Sequence, residues 1–209
     1  MPDVNTEKLE IQGVKYQPWK GPLFDLDDKR VLVLGESFYH GEVGPVPPDI
    51  NQICLYKVAN NKFEEVDGRK WPRHFQKIQK LFLPWPGPDP KEFWEKIAYY
   101  NYIAESVGKT PGMRPSEDMW LNAVEPFKAV LLHLKPRRVL VLGKHLWGNM
   151  LAASIVKNTK NQFPRLLDEK AGPVLRVVGH PASHGFSTEL SKYKQTVKEL
   201  LEWDVNNDS

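Results

Sequence analysis

Hydrophobic residues fall along this chain in two rhythms. Short apolar runs end in glycine at three places: Val-Leu-Val-Leu before Gly35, the same four residues before Gly143, and Val174 to Val178, interrupted by Arg176, before Gly179. The first two belong to an identical hexapeptide, Arg-Val-Leu-Val-Leu-Gly, at residues 30–35 and 138–143. A run that is apolar at every position, rather than at every second one, suits a strand covered on both faces. Between the runs the spacing is helical. After Pro115 and Ser116, a capping residue with Glu117 and Asp118 in the first turn, apolar residues recur at Trp120, Val124, Phe127, Val130, Leu131 and Leu134. This spacing predicts one helix with a single buried face, kinked at Pro126. Residues 144–154 and 188–203 read as helices too, the latter through Leu190, Tyr193, Val197, Leu200 and Leu201. Residues 97–103 predict a fourth strand that carries Asn101, with a helix over 90–102 as the other reading.

Strands alternating with helices imply right-handed crossovers, and hence a three-layer α/β/α domain around a central, mostly parallel four-stranded sheet. Ligands of such sheets sit beyond the carboxyl ends of the strands, so the residues after Gly35, Gly143 and Gly179 are the first places to look for chemistry. The domain is expected over residues 28–209, with residues 1–27 as an N-terminal extension. Residues 40–73 hold Gly-Pro-Val-Pro-Pro, Asn60-Asn61 and Asp67-Gly68, turn chemistry that predicts a long loop over the site. Residues 83–90, with four prolines, read as a rigid connector.

Composition narrows the class. At 41% hydrophobic and 26% charged residues, the chain lies in the ordinary globular range. No apolar run approaches the roughly 20 residues that cross a bilayer, and residues 1–10 lack a basic start followed by an apolar stretch, so a cytoplasmic protein with no membrane partner is expected. The single cysteine, Cys54, excludes a disulfide within the chain and any cysteine-held metal or iron–sulfur site; it is expected as a packed bystander. Most tryptophans (Trp71, Trp85, Trp94, Trp120, Trp147 and Trp203) are core candidates. A net charge of +3 permits contact with phosphate without demanding it.

Candidate chemistry concentrates at two strand ends. Gly35, Glu36, Ser37, Phe38, Tyr39 and His40 place a carboxylate, a hydroxyl, two aromatics and an imidazole after one buried run, with a strand-ending turn and a solvated Glu36 as the bland alternative. His180, Pro181, Ala182, Ser183, His184, Gly185 and Phe186 follow another. Pro181 stiffens the backbone beside His180, whose imidazole could donate to a developing anion or merely complete a turn. The spacing of His180 and His184 would suit a metal only on a helix, which Pro181 and Gly185 oppose; no metal or cofactor is expected. Ser37 after Gly35 begins a nucleophile-elbow pattern that would use His180 as base, but Tyr39 stands where the pattern needs glycine.

In order along the chain, these segments resemble the uracil-DNA glycosylase-like superfamily. Residues 35–40 are similar to its first motif, Gly-Gln-Asp-Pro-Tyr-His, or Gly-Glu-Ala-Pro-Gly in its thermophilic branch, and residues 180–186 to its second, His-Pro-Ser-Pro-Leu-Ser. Tyr100-Asn101-Tyr102, then Met113-Arg114-Pro115, then residues 127–147 look like its central segment; the likeness spans roughly residues 29–203. The resemblance implies a monomeric DNA-binding protein that hydrolyses the N-glycosidic bond of uracil or another damaged base, flipped out of the strand, in base excision repair. By position it makes Glu36 and His180 catalytic, Asn101 the reader of the base edge, and Tyr39 the aromatic at the base C5 position. Gly35, Ser37, Phe38 and Ser183 complete the substrate pocket, while Lys144, His184 and Phe186 contact nucleic acid, with Phe186 as a wedge.

The chain departs from the pattern at several points. Ser37 replaces the aspartate of the first motif, Phe38 its proline, Ala182 the serine of the second motif and His184 its leucine, and one cysteine cannot hold the thermophilic branch's cluster. Two other readings therefore stand beside base excision: a catalytically inactive member that binds nucleic acid or nucleotide, and a serine hydrolase using Ser37. Lys135, Arg137, Arg138, Lys144 and His145, with Lys157, Lys160, Arg165 and Lys170, are the basic residues available for a phosphate backbone.

Overall fold

A computed structural model describes residues 9–38, 46–60, 72–103, 105–108, 112–157, 159–160, 163–168, 170 and 172–203. Each glycine-terminated run is a strand: β2 (Val31–Gly35), β4 (Arg138–Leu142) and β7 (Val174–Val178), numbered in chain order, joined by β3 (Ala98–Asn101). All three pairings among them, β3 with β2, β2 with β4 and β4 with β7, are parallel. The sheet is larger and more mixed than the expected four strands. Two-residue strands β1 (Trp19–Lys20) at one edge and β6 (Arg165–Leu166) followed by β5 (Val156–Lys157) at the other add antiparallel pairings, for seven strands in the order β1-β3-β2-β4-β7-β6-β5.

Because successive side chains in a strand point to opposite faces, each apolar run supplies two cores at once. Leu32, Leu34, Val139, Val141 and Leu175 share one core with α5 (Val124–Leu134) and α6 (Lys144–Ala152). Val31, Val33, Leu140, Leu142, Val174 and Val178 pack on the other face against α1 (Ile50–Ala59), α2 (Pro72–Phe82), α3 (Pro90–Lys96) and α7 (Leu190–Glu202). That two-sided cover explains why these strands carry no polar alternation. Cys54 lies at the edge of the second core.

Three expectations are corrected. Residues 9–27 are not an appendage: Ile11, Val14, Tyr16, Trp19 and Phe24 are buried and β1 pairs with β3. The expected loop over 40–73 contains α1, while residues 61–71 lie outside the described residues. The predicted helix over 116–134 is two helices, α4 (Glu117–Asn122), capped by Ser116 through the Met119 amide, and α5. Pro126 has no N–H for the Asn122 carbonyl and its ring crowds that carbonyl, so the break falls at Ala123 rather than at the proline itself. The strand expected over residues 97–103 forms as β3, and α3, capped by Asp89, precedes it. No helix among the described residues is long and apolar enough to cross a membrane.

Candidate active site at the strand ends

The parallel register brings the strand ends level. Gly35 pairs with Asn101, and Leu142 with Val178, so the loops that follow emerge on one edge. Beyond Gly35 the chain stays attached to its neighbour: Gly35, Glu36 and Phe38 carbonyls accept from the amides of Tyr102, Ile103 and Val107 at 2.9, 2.9 and 3.1 Å. Glu36 therefore projects from backbone as firmly held as a strand. Gly35 itself admits no side chain, because a Cβ would fall 2.4 Å from Asn101 Oδ1 and 2.6 Å from the Tyr99 hydroxyl.

Glu36 is 9% exposed, and both of its oxygens are engaged. His145 Nδ1, on the first turn of α6, lies 2.8 Å from Oε2, and Arg114 Nη1, from the loop before α4, lies 3.3 Å from Oε1. The His145 ring stands edge-on to Trp120 with centroids 5.4 Å apart, while one side of the imidazole stays exposed.

His180 faces this group across Gly143, where a Cβ would lie 3.5 Å from the Cβ of His180. Its Nδ1 accepts from the Ala182 amide at 3.2 Å, and its carbonyl accepts from the Ser183 amide and hydroxyl at 2.8 and 2.7 Å. Burial pulls His180 below the ordinary histidine range, partly opposed by the nearby Glu36 charge and reinforced by Arg114 and Lys77. The ring is thus neutral at physiological pH, and because Nδ1 is an acceptor its proton resides on Nε2. From α2, the His74 ring lies tilted by 36° against His180 with centroids 5.3 Å apart, and Lys77 Nζ donates to the Pro181 carbonyl at 2.8 Å. His74 is held down to about 3, first by burial, then by His180 and Lys77.

Asn101 lies one strand over, 7% exposed. Its Oδ1 accepts from the Tyr99 hydroxyl at 3.0 Å and its Nδ2 donates to Asn51 Oδ1 at 3.3 Å, while Asn51 Nδ2 donates to the Gln17 carbonyl at 2.9 Å. The amide is oriented by its neighbours and keeps one lone pair and one N–H for a ligand.

The structure sorts the remaining candidates. Ser37 is partly buried, and among the described residues no hydrogen bond joins it to His145 or His180. Phe38 turns to Tyr16, with ring centroids 4.5 Å apart. Tyr39 and His40 lie outside the described residues. Lys144 and His184 are exposed. Phe186 is not a wedge: it is 1% exposed and packs against Tyr193, because the turn after Pro181 folds the ring inward beneath Lys77. Arg138 and Arg165 are likewise lost to a phosphate-facing surface, being 5% and 4% exposed and bonded to backbone carbonyls. Sequence reasoning assigned no site role to His74, Lys77, Asn51 or Arg114, and saw His145 only as a basic residue; Arg114 lay inside a quoted motif, and His145 two residues past a strand-end glycine was the one further signal.

Among the described residues no group of three or more His, Cys, Asp or Glu side chains is gathered as metal ligands would be. A cavity of about 690 Å³ opens at the opposite end of the sheet, beside Lys29, Arg138 and Trp203, away from this chemistry. No protein-family model and no curated protein matches the chain.

Proposed function

We propose that the chain hydrolyses the N-glycosidic bond of a damaged base in DNA, as its resemblance to the uracil-DNA glycosylase-like superfamily implies. The observation that carries this reading is the state of His180: a neutral imidazole whose Nε2–H is left to donate, within electrostatic reach of the Glu36 carboxylate. Breaking such a bond leaves an electron-poor sugar and an electron-rich base. The first is favoured by a carboxylate nearby, the second by a hydrogen-bond donor that does not have to ionise. The oriented Asn101 amide adds a donor and an acceptor suited to a base edge, and the parallel order β3-β2-β4-β7 is compatible with the superfamily's core. Exposed Lys144, Arg114 and His184 offer contacts for phosphates.

Incubation with single- and double-stranded oligonucleotides bearing uracil, a G·T mismatch, hypoxanthine or xanthine, followed by alkali, tests the reading. Strand breaks are expected with at least one substrate, falling roughly 100-fold or more in His180→Ala. A second reading, binding without cleavage, is favoured by one observation: both Glu36 oxygens are already occupied by Arg114 and His145. Salt-sensitive DNA binding with no strand breaks on any substrate selects it.

A further inference from the structure

His180 and His145 both stand on this edge, and the contact of each at Nδ1 determines what its other ring nitrogen can do. At His180 an amide N–H points at Nδ1, which leaves Nε2 carrying the proton. At His145 the partner of Nδ1 is a carboxylate oxygen at 2.8 Å, and that carboxylate also pairs with the Arg114 guanidinium. An ionised carboxylate only accepts, so Nδ1 is the donor, and in the neutral ring Nε2 presents a lone pair. His180 and His145 thus offer a donor and an acceptor, the complement that hydrolysis needs.

Resting on the reading above, we infer that His145 is the base that takes a proton from the attacking water, and that Glu36 serves it as a positioning residue. The C1′–N bond breaks with its electron pair leaving on the base, which the Nε2–H of His180 meets. The water oxygen bonds to C1′ and gives its proton to Nε2 of His145. The base anion then takes a proton from solvent, and His145 releases its own to solvent. Trp120, edge-on to the His145 ring, restricts its rotation and the Glu36 bond restricts its tilt. The arrangement gives the buried, doubly bonded Glu36 a task that does not require it to touch the sugar.

The test combines kinetics with nitrogen-15 NMR of the histidine rings in the full chain. His145→Ala is expected to lower single-turnover cleavage roughly 100-fold or more with DNA affinity unchanged, and free imidazole to restore part of the loss. In the wild type the His145 ring is expected as the Nδ1–H tautomer and His180 as the Nε2–H tautomer, and Glu36→Ala is expected to abolish the preference at His145. A merely structural role for Glu36 would leave that preference unmoved. A folded His145→Ala variant cleaving within about threefold of wild type, or a His145 ring found as Nε2–H or doubly protonated at the assay pH, overturns this inference and leaves base excision standing. Absence of cleavage by the wild type on every substrate overturns both.

Discussion

His74 is the most perturbed histidine of the protein's strand-end edge, and it contributes to stability through its protonation. In the fold it stays neutral down to about 3, whereas in an unfolded chain it takes its proton near the ordinary value of 6.5. Between those values the unfolded state binds the extra proton, so His74 supports the fold fully above 6.5 and progressively less as the pH falls toward 3. His74→Gln removes this titration. Its urea midpoint is expected to change less between about pH 7.5 and about pH 4.5 than that of the wild type, and equal changes would refute the assignment. The prominence of Glu36 and His180 was legible in the sequence because each directly follows a glycine that ends a strand. Their partners were not, since Arg114 and His145 lie 78 and 109 residues from Glu36 and only the packed sheet brings them to it.

Elements were legible where burial was uniform and obscure where a polar group was buried with a partner. The runs of β2, β4 and β7 are apolar but for Arg138 and Arg176. In α1 the stripe is diluted by Asn51, which is buried because its amide donates to the Gln17 carbonyl, so that Pro47, Pro48 and the flanking Asn-Asn suggested a loop. Strands β1, β5 and β6, two residues each, are too short to show any period. Arg138 shows the same effect from the other side: its charge suggested a surface, yet its guanidinium donates to the carbonyls of Lys29, Leu200 and Trp203. It thereby caps the last turn of α7 and ties it to the start of β4. Arg138→Met keeps the bulk but leaves those carbonyls without this donor, for an expected loss on the order of 3 kcal/mol in urea denaturation. Amides in the last turn of α7 should also exchange faster. A variant within about 0.5 kcal/mol of wild type would mean that water replaces the guanidinium.

For the molecule as a whole, the boundary suggested by sequence at residue 28 cuts through the core. Trp19 donates to the Trp94 carbonyl at 2.8 Å, Phe24 is fully buried, and β1 covers the free edge of β3. Removal of residues 1–27 is expected to abolish a cooperative thermal transition, and a sharp transition near that of the full chain would contradict the packing. The strand-like backbone pairing beyond Gly35 has a consequence for how such a site diversifies. Glu36 rides on a floor tied to the chain after β3, whereas Lys77, Trp120 and His145 come from separate helices. Exchange of Lys77 or Trp120 across generations would reshape the edge around Glu36 while the carboxylate stays where it is, so ligand preference and the placement of the carboxylate are free to evolve on different parts of the chain.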